Sequence, residues 1–193
     1  ADVLERMLQG HTDVQTASNT LLRSRYNLRL ARKKGVQIVE DTSDAGLEDY
    51  LVLLKETTTR QGFYAHDEEY FRLMWAQLKG SGMFRILKAI YEGKVITAWI
   101  IFLHNGVGYY PYGASSREHR DVMANNLMMW EALMLAKSAG CTSFDMWGAL
   151  GPNPDPNNKW YGFHRFKEGY GAQLMKSIGT YDLVLNFPKY QLF

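Results

Sequence analysis

A single cysteine, five prolines and a net charge of only +2 are the scarcities that first bound this chain of 193 residues. Cys141 alone excludes an internal disulfide framework and fits a reducing compartment. So small a net charge supplies no global field of the kind that draws DNA. No run approaches the roughly 18 apolar residues needed to span a bilayer. The start, Ala1-Asp-Val-Leu-Glu, has neither the basic-then-apolar pattern of a signal peptide nor an initiator Met, and so reads as part of a longer chain. Catalytic signatures are missing too. There is no P-loop, no dinucleotide fingerprint and no G-x-S-x-G elbow. The five histidines, His11, His66, His104, His119 and His164, never pair at helical ligand spacing, which argues against a metal centre. Cys141 falls where a helix meets a strand, the place of a small buried hydrophobe rather than a nucleophile.

What is present is ordinary in amount and uneven in distribution. Apolar residues make up 46% and charged residues 22%, as in a soluble globular domain long enough for one sizeable core. Six basic residues and no acidic one lie between Arg23 and Lys34. They sit on a predicted helix over 12–34 that Thr12 or Asp13 caps, Gly35 stops, and Leu21, Leu22, Leu28, Leu30 and Ala31 give an apolar stripe. A short strand over 35–40 follows. Leu47, Tyr50, Leu51 and Leu54 predict a helix over 44–59, and Asp67 or Glu68 opens another through Phe71, Met74, Trp75 and Leu78. Strands over 83–91, 95–103 and 106–113 are joined at Glu92-Gly93 and His104-Asn105-Gly106, which predicts two antiparallel hairpins. The stretch 117–139 reads as a helix, apolar nearly all round from 127 to 136 and therefore buried against a sheet. A strand over 142–146, a loop rich in Pro and Asn, a short helix, and a final strand or pair over 175–185 complete the order. This α/β (α+β) order matches the N-acetyltransferase-like fold, a central mixed sheet with flanking helices. We divide it into a leading basic helical segment, 1–35, and an acyltransferase domain, 36–193.

The segment Tyr161-Gly-Phe-His-Arg-Phe-Lys-Glu-Gly-Tyr-Gly171 crowds rings, cations and three glycines into eleven residues. That mixture suits a surface holding a charged, partly apolar ligand at close backbone approach. An acetyl-CoA enzyme of this fold should cradle pyrophosphate on a glycine-rich turn before the buried helix. The equivalent stretch, 115–126, contains no glycine, so the fold is kept while the acyl donor changes.

Four segments together resemble the Fem family (FemABX-type) of peptidoglycan aminoacyltransferases. They are Arg23-Ser-Arg-Tyr-Asn-Leu-Arg-Leu-Ala-Arg-Lys-Lys-Gly-Val36, Thr59-Arg-Gln-Gly-Phe-Tyr64, Tyr110-Pro-Tyr-Gly-Ala-Ser-Ser116 and Arg165-Phe-Lys-Glu-Gly-Tyr-Gly171. In order and spacing they cover 23 to about 186, while 9–20 fits the family poorly. The resemblance implies the second of two acyltransferase-like domains, with a first domain as partner. It implies transfer of an amino acid from aminoacyl-tRNA to an amine of a peptidoglycan precursor, either a UDP-MurNAc-peptide or a lipid-linked form. It also implies no cofactor and a cytoplasmic setting at the inner membrane face.

The resemblance also assigns residues. Lys167 is the catalytic candidate, its ammonium stabilising the oxyanion of the tetrahedral intermediate or the departing ribose oxygen. Phe166 packs the donor's terminal adenosine. Arg60 and Tyr64, four apart, suit a phosphate or carboxylate of the acceptor. Tyr110 and Tyr112 alternate on one strand, so both rings are expected on one face, beside a wall thinned by Gly113. Arg25 and Arg29 are read as steering a tRNA acceptor stem or an anionic membrane surface, with Arg25 and Asn27 partly structural. No general base stands out, and proton loss to water or to the acceptor's own acidic groups is expected. The alternatives are an N-acyltransferase using acyl-CoA or another carrier thioester, and a non-catalytic module binding precursor or tRNA.

Overall fold

The computed structural model describes residues 14–62, 65–176, 178–179, 181–185 and 187–190, with backbone alone for 14–21 and 188–189. In chain order the elements are α1 (Val14–Lys33), β1 (Gln37–Glu40), α2 (Asp44–Gln61), α3 (Glu68–Leu78), β2 (Phe84–Tyr91), β3 (Lys94–His104) and β4 (Val107–Ser115). After a 3-10 turn at Arg120–Val122 come α4 (Ala124–Ser138), β5 (Ser143–Asp145), α5 (Tyr161–Glu168) and α6 (Phe187–Tyr190). The strands form one sheet in sequence order, antiparallel from β1 to β4, with β5 added in parallel. The expected mixed sheet with flanking helices is therefore present.

Local chemistry explains most boundaries. The Ser43 hydroxyl accepts from the Gly46 N–H and Asp67 from the Tyr70 N–H, so α2 and α3 each start on a side-chain cap. Both hairpins turn on two residues at positive φ, Glu92-Gly93 and Asn105-Gly106, the geometry whose twist matches that of the flanking strands. The helix expected over 117–139 starts only at Ala124. His119 and Met123 both take left-handed backbone angles, which an α-helix does not admit.

Two apolar layers cover the sheet. One buries Leu47, Tyr50, Leu51 and Leu54 of α2 with Phe71 and Trp75 of α3 against Phe84, Ile86, Ala98 and Ile100. The other sets α4, through Leu127, Met128, Met129, Ala132 and Leu133, against Leu87, Trp99 and Ile101. Half-buried Cys141 packs at the margin of this second layer. The Lys88 ammonium lies 2.5 Å from Asp41 and 2.7 Å from Asp49, tying α2 to the sheet. Burial works to lower the Lys88 pKa, but these two carboxylates outweigh it and the net shift is upward.

Helix α1 departs from the expected stripe. Leu28 and Ala31 do pack on the α4 layer, yet Leu22 is exposed and the side chain of Leu21 lies outside the described residues. The half-buried positions preceding Leu28 are Ser24 and Asn27. The strand or pair expected over 175–185 is also corrected. Among the described residues there no strand forms, and Met175, Tyr181, Leu183 and Leu185 are exposed. A strand needs a hydrogen-bonded neighbour as well as a suitable pattern, and none pairs with this stretch here.

Candidate active site

The sheet opens beside β4. Parallel pairing of β4 with β5 covers only Val107–Ser143, Gly108–Phe144 and Tyr109–Asp145. Beyond it, β4 runs on to Ser115 paired with β3 alone, while the chain after Asp145 leaves the sheet. Trp147, exposed and at φ 64°, follows that exit. The resulting split lies at the carboxyl ends of two parallel strands, where α/β sheets present their crevices.

Lys167 lies on the lip of this split. Its Nζ donates to the Gly148 carbonyl and sits 4.1 Å from the centre of the Phe163 ring. Although α5 is short and without a side-chain cap, the Lys167 side chain is buried, with only 4% of its surface exposed. Burial lowers its pKa to about 8, with nearby Asp145 opposing the shift. An ordinary surface lysine would not titrate there. Phe166, the next residue, faces another direction. It packs edge-on to Trp99 at 6.4 Å and to Tyr170 at 5.4 Å, and it borders a hollow of about 280 Å³ between α1 and α5. The ring beside the ammonium is thus Phe163, and Lys167 does not line that hollow.

The two β4 tyrosines point to opposite faces, which corrects the expectation of one shared face. Tyr112 pairs with Ile100 and Tyr109 with Phe102, so Tyr110 and Pro111 together stand opposite Ile101. This bulge inserts one residue and reverses the alternation. Tyr110 stacks on Trp99 with centroids 3.8 Å apart, in the α4 layer. Its phenol also fills the space beside Gly113, where an added Cβ would meet the Tyr110 oxygen at 2.2 Å. The wall is filled there rather than thinned. Tyr112 sits in the α2–α3 layer, its hydroxyl 3.2 Å from that of Tyr70, on which His66 stacks at 3.9 Å.

Arg60 belongs to the Tyr112 side. Its guanidinium donates to the Ser115 carbonyl at 2.9 Å and to the Ser115 hydroxyl at 3.2 Å, with Glu56 at 3.8 Å. Burial lowers its pKa while Glu56 acts the other way. Tyr64 lies outside the described residues. Arg25 and Arg29 are exposed on α1 and make no hydrogen bond or ion pair among the described residues. Half-buried Asn27, by contrast, borders the hollow. The structure brings Tyr110 and Phe166 to one side of the sheet and Arg60 with Tyr112 to the other, with Lys167 at the lip of the split.

Sequence reasoning missed several members of this region. Tyr170 donates to the Asn126 carbonyl at 2.8 Å and receives the Asn126 amide at 3.1 Å, fixing the end of α5 to the start of α4. His164 is buried with Nε2 3.3 Å from Glu168 and Nδ1 without a partner among the described residues. Both lie in the segment of rings and cations noted in the sequence, but composition gave neither a role, since their pairings join residues through helix spacing or across the fold. The turn before α4 accords with the lack of glycine. The Val122 and Met123 N–H groups bond within the turn, to His119 and Arg120 carbonyls at 3.1 and 3.4 Å, and are not turned outward toward an anion.

With this mixed sheet, its split and its buried α4, the chain belongs to the acetyltransferase (GNAT) domain family, whose sequence profile matches residues 18–161. The resemblance to the Fem-type enzymes also holds. A lipid II:glycine glycyltransferase of Staphylococcus epidermidis is 25% identical across 94% of the chain, and one of Staphylococcus haemolyticus is 27% identical across 88%. The chain spans 58% and 55% of their lengths. A crystal structure of FemX superposes with a TM-score of 0.81 at 22% identity, over 100% of this chain and 61% of its own. An aminoglycoside 6'-N-acetyltransferase from Acinetobacter haemolyticus shares the fold more distantly, with a TM-score of 0.58 at 19% identity over 78% of this chain and 99% of its own.

Proposed function

We propose that this chain is an aminoacyltransferase domain that moves an amino acid from aminoacyl-tRNA to an amine of a peptidoglycan precursor stem peptide, building a cell-wall cross-bridge. The relatives named lipid II:glycine glycyltransferases support the acceptor class and the transfer. The acceptor nitrogen attacks the ester carbonyl carbon, a C–N bond forms, and the bond from that carbon to the tRNA ribose oxygen breaks. The amine gives up a proton and the ribose oxygen gains one.

The observation that carries this reading is the Lys167 ammonium, buried at the lip of the sheet split and held by the Gly148 carbonyl. A fixed positive charge in a desolvated site stabilises the oxyanion of the intermediate more than it would in water. With a pKa lowered to about 8, it is also a stronger acid than an ordinary lysine, suited to protonating the departing oxygen. The absence of glycine from 115–126, where a pyrophosphate cradle would stand, favours a donor other than a pyrophosphate-bearing thioester. Phe166, Arg60 and Tyr112 are assigned to substrate, the first to the donor and the others to the acceptor.

Single-turnover transfer with charged tRNA and precursor tests the reading. Lys167→Met is expected to lower the rate by about 100-fold or more, with acceptor affinity nearly unchanged. An unaltered rate would remove Lys167 from the mechanism. Transfer by the wild type from acetyl-CoA instead of charged tRNA would replace the donor class.

A further inference from the structure

Lys167 serves the departing oxygen, yet no group named so far receives what the attacking nitrogen must shed. A primary amine on an alkyl chain reaches the site from neutral solution as an ammonium, its lone pair occupied. Attack on a carbonyl carbon requires that proton to leave first, and formation of the amide releases a second. Such a nitrogen calls for a free carboxylate, open to solvent and beside the lysine.

Asp145 meets these conditions. It ends β5 opposite Tyr109, at the point where the chain leaves the sheet and the split begins. Exposed Asp145 and Trp147 flank Met146, which is buried in the α4 layer. The Trp147 N–H donates to Asp145 Oδ1 at 2.6 Å and so fixes the carboxylate. Trp147 makes this bond at φ 64°, a left-handed angle costly for so bulky a residue. Asp145 Oδ2 makes no hydrogen bond or ion pair among the described residues.

Other acids of the region are committed elsewhere. Glu56 accepts from the Ser116 hydroxyl and the Arg117 N–H and lies 3.8 Å from Arg60. Glu168, next to Lys167 in sequence, lies 3.3 Å from His164. Asp145 and Lys167 behave differently. The carboxylate is close enough to oppose the effect of burial on the ammonium, yet Lys167 Nζ bonds the Gly148 carbonyl and the two charges do not ion-pair. Elsewhere opposite charges close up, as Lys88 does with Asp41 and Asp49 at 2.5 and 2.7 Å. Gly148, three residues after Asp145, thus holds the ammonium away from the carboxylate. An acid and a base kept near but apart leave room for reacting atoms between them.

We propose that Asp145 binds the acceptor ammonium and takes its protons, while Lys167 serves the leaving oxygen. The role rests on the aminoacyl transfer proposed above. Asp145 accepts the first proton and passes it to solvent, and the freed lone pair forms the C–N bond. The carboxylate then accepts the second proton as the nitrogen becomes an amide, and Lys167 gives one to the ribose oxygen as the ester C–O bond breaks. Return of that second proton to Lys167 through solvent restores both groups, with one proton released overall.

Single-turnover transfer by the full chain from charged tRNA tests it with two acceptors, the precursor and a precursor bearing an aminooxy group in place of the amine. The aminooxy nitrogen is unprotonated at neutral pH and needs no carboxylate to free its lone pair. Asp145→Asn is expected to slow transfer to the amine by about 100-fold or more, and to the aminooxy acceptor by less than about fivefold. Below about pH 8, where Lys167 stays charged, the rate of this variant with the amine should climb about tenfold per pH unit as free amine accumulates. Melting temperature should stay level, since asparagine keeps an oxygen for the Trp147 N–H. Lys167→Met, which acts on the leaving group, should lose alike on both acceptors. An unchanged rate with the amine, or equal losses of Asp145→Asn on the two acceptors, would overturn the role of Asp145 and leave the aminoacyltransferase reading standing. Wild type that transfers to neither acceptor would sink that reading, and this role with it.

Discussion

Helices α2 and α5 were built on opposite principles. Helix α2 has eighteen residues, a serine cap and a buried apolar face, so its own sequence nearly specifies it. Helix α5 has eight residues and no side-chain cap, and it is held from outside by the Lys167 bond to Gly148, the Tyr170–Asn126 pair and the contact of Phe166 with Trp99. An isolated helix this short does not persist in water. The scaffold is thus locally encoded, whereas the segment carrying the proposed chemistry borrows its order from a few distant groups and opens at lower cost.

The heaviest test of that contrast removes a support on which α5 rests. Trp99→Ala takes away a ring 1% exposed that touches both Tyr110 and Phe166, and should cost roughly 3–5 kcal/mol by denaturant unfolding. A loss well under this would mean that the α4 layer and the docking of α5 do not depend on it. Next comes pH. The Lys167 cation is populated below about 8, so turnover should fall as pH rises through that value, and Lys167→Arg should move the falling limb upward. Stability behaves in the reverse sense. Between about pH 8 and 10.5 the unfolded chain holds the proton that the folded chain has released, so stability rises across that window and should not do so in Lys167→Met. A smaller effect distinguishes the helices directly. Tyr170→Phe should cost about 1 kcal/mol and speed amide exchange over 163–170 before the rest of the chain. Ser43→Ala should also cost about 1 kcal/mol, but lower the global transition with no early opening of α5. Matching exchange patterns in the two variants would erase the distinction.

The same contrast explains what could be read from the amino acids. Strands β2 to β4, their turns and helices α2 to α4 follow from alternation, helical spacing, caps and turn residues, all local signals. The stretch 175–185 carries strand-like residues, yet pairing depends on a neighbour that no local pattern reveals. Leu22 seemed part of a stripe, but α1 turns Ser24 and Asn27 inward because a polar hollow lies beside it. At the site, a positive charge within a crowd of rings at Lys167 and Phe166 was legible as composition. Which ring meets the ammonium was not, because the side on which α5 docks is decided by Gly148, Asn126 and Trp99 far away in sequence.

The extra residue in β4 has an evolutionary consequence. With Tyr110 and Pro111 sharing one partner, the phenols of Tyr110 and Tyr112, two positions apart, serve two compartments divided by the sheet. Deleting or adding a single position between residues 109 and 113 would send Tyr112 into the wrong compartment, whatever side chains were chosen. Lineages carrying this arrangement should therefore tolerate exchange of letters in that short stretch far more readily than any change in its length.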